Sequence, residues 1–98
     1  MPNTWSREFG ALINTQRTLK KMPLRKVAAM LDIDTSTLSK IEKGERPANS
    51  KMIPVIAELF GLDYKEIQVK YLIKKLDEEF GKQPFFNEAL QHLIDNKK

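Results

Sequence analysis

The chain has 98 residues, 41% of them apolar, with 17 Lys and Arg against 13 Asp and Glu for a formal charge of +4 at pH 7. That is enough for one domain with a modest core and too little for a large catalytic cleft. There is no cysteine, which excludes disulfides and thiolate metal sites, and the single histidine, His92, has no Cys or His partner for a metal. No apolar run approaches the ~20 residues of a membrane span and no signal-peptide pattern opens the chain, so a cytoplasmic location is expected.

Apolar periodicity and breakers divide the chain into six helices and no strand, an all-α fold. The first helix is expected over residues 5–21, with Phe9, Leu12 and Ile13 facing inward and Leu19 as a further core candidate. Pro23 suits the opening of the second helix, where a missing N–H costs little. That helix places Val27, Ala28 and Leu31 on one apolar face, with Ala28 small enough for a second backbone to pass close by. Asp32 falls where the chain must reverse, and Asp is among the few non-glycine residues that tolerate a left-handed backbone.

Ile33 then points back toward the core, Asp34 is a suitable N-cap for a third helix opening at Thr35, and Gly44 is a natural residue to end it. Leu38 and Ile41 face inward along this third helix. At roughly 100° per residue, Ser36, Ser39, Lys40 and Lys43 cluster on the opposite side as a polar and basic stripe suited to base edges and phosphates. Residues 23–44 therefore read as two short helices joined by a tight turn, a helix-turn-helix.

After the turn GERPAN, broken by Pro47, Asn49 or Ser50 can cap a fourth helix that runs through Phe60 with Pro54 in its first turn; Gly61 ends it. Asp63 and Glu66 form a capping box for a fifth helix over residues 64–80, which Gly81 stops. Pro84 opens a sixth helix lasting to about residue 95. Leu72, Leu76 and Phe80 on the fifth helix, with Phe85, Phe86, Ala89, Leu90, Leu93 and Ile94 on the sixth, form an apolar set. It can fold back over its own domain or make a dimer interface, and a mixture of the two is expected.

Charge is unevenly placed. Residues 1–51 hold ten Lys and Arg against five Asp and Glu, whereas residues 52–98 hold seven against eight. The basic half contains the helix-turn-helix, which points to a polyanionic partner.

These residues resemble the Cro/C1-type (XRE) helix-turn-helix family, which includes phage repressors. The family pattern of an apolar-Ala pair, a turn, a Ser/Thr-rich helix start and an Ile-Glu-x-Gly ending stands here as Val27-Ala28, Leu31-Asp32-Ile33, Ser36-Thr37-Leu38-Ser39 and Ile41-Glu42-Lys43-Gly44. The resemblance covers about residues 9–67. The chain carries Asp32 where the family commonly has Gly, and Leu24 where it commonly has Gln.

The resemblance implies a lambda-repressor-like domain of about five helices over residues 1–71, with residues 72–98 as a C-terminal helical extension for packing or dimerisation. It implies double-stranded DNA as partner, with no metal, cofactor or membrane. Arg25, Thr35, Ser36, Ser39, Lys40, Lys43, Arg46 and Lys51 are the expected DNA-binding residues. Arg17 and Glu42 are expected to form an ion pair that ties the first helix to the recognition helix. The implied function is a sequence-specific transcription regulator that reads a palindromic operator as a homodimer. The wording PLRKVAAMLDID with LSKIEKGER also resembles a bacterial subgroup associated with DNA methyltransferase or restriction-modification loci. The alternative on the same fold is a protein-interaction module, such as the antitoxin of a toxin-antitoxin pair. An enzyme is not expected, because no nucleophile-base set, metal-ligand cluster or phosphate-cradling Gly loop is visible.

Overall fold

Six helices make up residues 4–98, which the computed structural model describes: α1 (Thr4–Leu19), α2 (Leu24–Met30), α3 (Thr35–Glu42), α4 (Met52–Phe60), α5 (Tyr64–Phe80) and α6 (Phe86–Asn96). The first four end in the same way. A residue with left-handed backbone follows each helix, and the next N–H reaches back to a carbonyl five positions earlier. Met22 bonds Arg17 past Lys21, Ile33 bonds Ala28 past Asp32, Glu45 bonds Lys40 past Gly44, and Leu62 bonds Ala57 past Gly61, at 2.8–3.0 Å. This repeated ending closes the free carbonyls of each helix within a few residues and makes short reversals possible.

Asp32, Gly44 and Gly61 carry recognisable signals for that conformation, whereas Lys21, at φ 54°, does not. The left-handed lysine ends α1 at Leu19, two residues before the expected position. Leu19 is 71% exposed and is no part of the core. The inner face of α1 runs through Trp5, Phe9 and Ile13, so its next turn presents Gln16 and Arg17 rather than Leu19.

The core is assembled from Trp5, Phe9 and Ile13 of α1, Val27 and Ala28 of α2, Leu38 and Ile41 of α3, and Met52, Ile53, Ile56 and Phe60 of α4. Leu31 and Ile33 pack against it from the turn, and Ile67 and Tyr71 from α5. Trp5 stacks on Phe9 with ring centroids 4.9 Å apart and meets Tyr71 edge-on at 4.6 Å, an aromatic corner that fixes α5 to α1. Lys74 extends the same contact by pairing with Glu8 at 2.6 Å. Buried Ser6 pins the loop before α4, its Oγ accepting from the Ala48 N–H at 2.7 Å.

Helix starts differ from expectation at two places. Asn49 does supply a capping side chain, but it accepts from the Lys51 N–H at 3.0 Å, and α4 opens only at Met52 with Lys51 as its N-cap. The turn after α5 is not closed by a left-handed glycine, because Gly81 keeps φ −57° and its N–H still bonds the Asp77 carbonyl at 2.8 Å. The left-handed residue there is Phe85, at φ 62°, and α6 therefore opens at Phe86 instead of Pro84.

α5 is uninterrupted from Tyr64 to Phe80, about 25 Å long at ~1.5 Å per residue. Its second half and α6 extend beyond the core, and the radius of gyration, 15.6 Å, exceeds the ~13 Å of a compact chain of this length. α6 rests on the end of α5, where the rings of Phe80 and Phe86 lie 6.4 Å apart, and does not cover the core.

At Gly10 the backbones of α1 and α3 come close together. A Cβ there would run into the carbonyl oxygen of Ile41 and lie 3.4 Å from the Cα of Glu42. Backbone cannot yield as a flexible side chain can. Gly10→Ala is therefore expected to lower stability by about 1–3 kcal/mol, although alanine is the better helix former by ~1 kcal/mol. A reduced urea midpoint with an unchanged slope is the expected measurement.

Candidate nucleic-acid interface

α3 has eight residues, too few for an isolated helix to persist in water, so its shape depends on what holds it. Leu38 and Ile41 are fully buried beneath it. At its C-terminal end, Gly10, Asn14 and Arg17 form a stripe along α1 at i, i+4 and i+7 that meets the last turn of α3. Gly10 admits the backbone, and the other two reach Glu42. Arg17 donates from Nε to Oε2 at 2.8 Å and from Nη2 to Oε1 at 3.0 Å, a two-pronged ion pair. Asn14 adds a third bond from Nδ2 to Oε1 at 2.8 Å.

The Glu42 side chain is 4% exposed and that of Arg17 18%. The remaining prong of Arg17 donates from Nη1 to the Met22 carbonyl at 3.1 Å, which also fastens the end of α1. The hydrogen bond to Glu42 is the main cause that raises the guanidinium pKa above its ordinary value.

The N-terminal end is held by Asp34, which has extended backbone and accepts from the Thr37 N–H at 2.7 Å. The Ser36 hydroxyl donates to the same carboxylate oxygen at 3.0 Å. Bonds from the Thr37 backbone, then the Thr37 and Ser36 side chains, hold the Asp34 carboxyl below its ordinary pKa, with a smaller contribution from the charge of Arg46. Arg46 therefore lies within electrostatic reach of the start of α3.

Thr35, Ser36 and Lys40 are exposed on α3, Lys43 is exposed at its C-cap, and Ser39 is half-buried. Ser36 keeps its oxygen free to accept, but it must release Asp34 before it can donate elsewhere. Arg25 is exposed in the first turn of α2, Arg46 in the loop after α3, and Lys51 at the N-cap of α4. Leu24, the residue that replaces the family's Gln, packs against the core, so this position offers no polar side chain.

Sequence reading did not find Gly10 and Asn14. A glycine inside a helical pattern is a signal of close approach, but Asn14 carries no mark of its partner 28 residues away.

Among the described residues no helix is long and apolar enough to cross a membrane, and no group of three or more His, Cys, Asp or Glu could hold a metal ion. His92 stands 3.9 Å from Glu88 on an exposed part of α6.

The arrangement of a positioning helix, a left-handed turn and a capped second helix defines the helix-turn-helix class. The family model described as helix-turn-helix matches residues 13–67, over half of the chain, and the chain belongs to this family, of the Cro/C1 type. Two crystal structures of the clp gene regulator ClgR from Corynebacterium glutamicum are similar in fold. One has a TM-score of 0.58 at 16% identity over 82% of this chain and 98% of that one. The other has a TM-score of 0.55 at 20% identity over 66% and 84%. Comparison with curated proteins finds no match.

Two measurements check this geometry. Arg17→Ala is expected to cost about 3–5 kcal/mol of unfolding free energy, because it strands a nearly inaccessible carboxylate; the same change at exposed Lys20 is expected to leave the urea midpoint in place. The second concerns pH. A carboxyl whose pKa is lowered by folding contributes stability that is complete above its unfolded-state value and is lost as pH falls through the folded-state value. The gap in Tm between the wild type and Asp34→Ala is thus expected to be open at neutral pH and to narrow through the acid range.

Proposed function

We propose that this protein is a sequence-specific transcription regulator that acts in the cytoplasm and reads a palindromic operator as a homodimer, one α3 per half-site. The observation that carries this reading is a recognition helix anchored at both ends, by Asp34 and by Glu42, whose outward face is exposed. Arg25, Lys43, Arg46 and Lys51 supply cations for phosphates on either side of the groove, which set register and orientation. Lys40 is long enough to donate to guanine O6 or N7 in the major groove, and Thr35, Ser36 and Ser39 supply shorter polar contacts to bases or phosphates.

Pre-fixed ends matter for specificity. A helix that must not reorganise on binding loses less free energy to ordering, and a misplaced base then meets a side chain that cannot shift to suit it. The wording of residues 23–46 extends the proposal to control of a restriction-modification locus, which predicts an operator beside a methyltransferase gene. The antitoxin-like reading draws on a separate observation, the exposed apolar surface of α5 and α6.

Selection from a random pool of duplex DNA tests the main reading. The expected product is a palindrome with half-site centres about one helical turn apart; recovery of no preferred sequence would favour the protein-interaction module. On the recovered operator, Lys40→Ala is expected to cost about 1–3 kcal/mol and to relax preference at one base position per half-site, whereas Arg46→Ala weakens all DNA alike. An unchanged ratio of operator to random affinity in Lys40→Ala would move base reading to Thr35, Ser36 or Ser39.

A further inference from the structure

α5 is amphipathic on two sides. Ile67 and Tyr71 turn toward α1 and α4 and pack on the core. On the other side stand Val69, Leu72, Ile73, Leu76 and Phe80, which fall within an arc of roughly 100°. All five are between 38% and 61% exposed. The stripe continues onto α6 through the Phe80 and Phe86 rings, and the exposed side chains of Phe85, Leu93 and Ile94 lengthen the apolar surface. Residues recurring at alternating intervals of three and four are what one helix offers to another along a shallow crossing.

The charges beside the stripe choose the partner and its direction. Lys70 and Asp77 are seven residues apart and so lie one above the other on one flank. Consider two copies of α5 packed side by side and antiparallel, with Ile73 layered against Leu76 of the other copy and Val69 against Phe80. In that register each Lys70 meets the Asp77 of the other copy, twice, about the two-fold axis. A parallel pairing in register would instead bring opposite flanks together, with Lys70 beside Lys65 of the other copy and Asp77 beside its Leu72, which repels at one position and pairs nothing at the other. The other flank places Leu72 next to Glu79, whose carboxylate is already paired with Lys75 of its own helix at 3.1 Å.

We propose that the outer stripe of α5 is the surface on which two copies of this chain associate, antiparallel, through Val69, Ile73, Leu76 and Phe80 with reciprocal Lys70–Asp77 pairs. The proposal rests on the homodimer reading above and adds to it the helix, the direction and the register. It also assigns a role to the extension of α5 beyond the core, which DNA contact by α3 does not use.

The chain has no cysteine, so introduced thiols report the register directly. Val69→Cys and Phe80→Cys are made separately, each in the full-length protein, and oxidised alone or after unfolding and refolding together. Only the mixture is expected to give a covalent dimer, because each thiol lies opposite the other residue and roughly eleven residues of helix, ~16 Å, from its own copy. Crosslinking of either variant alone would indicate a parallel pair and overturn the proposal.

A charge exchange checks it without touching the apolar residues. Lys70→Asp is expected to raise the dimer dissociation constant about tenfold at low salt, and adding Asp77→Lys to restore it. Sedimentation of the wild type separates the two readings. A wild type that is dimeric while the thiol mixture stays uncrosslinked and the charge exchange has no effect overturns this register alone. A wild type that remains monomeric with and without operator DNA overturns the homodimer reading as well, and leaves the stripe to a different protein.

Discussion

The position of the recognition helix depends on one carboxylate. Glu42 is almost inaccessible to solvent, and it is tolerated there because Arg17 and Asn14 supply three hydrogen bonds to its two oxygens. A buried pair of this kind adds little net stability compared with a well-packed apolar pair, since both charges lose their water. Its physical value lies in geometry. Apolar contacts from Leu38 and Ile41 hold α3 down but allow it to slide, whereas a two-pronged guanidinium accepts only a narrow range of positions.

That constraint makes α1 the frame of the molecule. One stripe, Gly10, Asn14 and Arg17, docks α3, and Ser6 on the same helix holds the loop that leaves it. Elsewhere on α1, Trp5, stacked on Phe9, receives Tyr71, and Glu8 receives Lys74. The surface with the basic side chains and the long fifth helix are thus referred to a single element. A displacement of α5 against α1 bears on the same helix that carries Arg17, about three turns further along.

Much of the fold was legible in the sequence because its signals are local. Asp34 and Asp63 each cap the helix that follows, accepting from an N–H three residues on. Asp32, Gly44 and Gly61 take up the left-handed backbone that their side chains, or lack of one, make accessible. The alternation of Val27, Ala28, Leu38 and Ile41 with polar residues marks the inner faces of two helices too short to form alone. At the candidate interface the outward residues of α3 could be placed by angle, since a helix with a known buried face has a known exposed one. That Ser36 spends its proton on Asp34 could not, because a hydroxyl has several local partners and only the built turn selects among them.

By itself, then, the sequence determined an all-α chain with a helix-turn-helix at residues 23–44, through caps, reversals and periodicity that act within one or two turns. Tertiary structure decided the rest. Lys21 and Phe85 are held in left-handed backbone against their own preference, Leu19 is left in solvent, and α6 is set on the end of α5 instead of over the core. Gly10 and Asn14 gained their roles only when α1 met α3. Each of these outcomes balances a local preference worth a fraction of a kcal/mol to about 2 kcal/mol against contacts between distant residues. Such contacts are formed only when the whole core closes, and no local pattern encodes them.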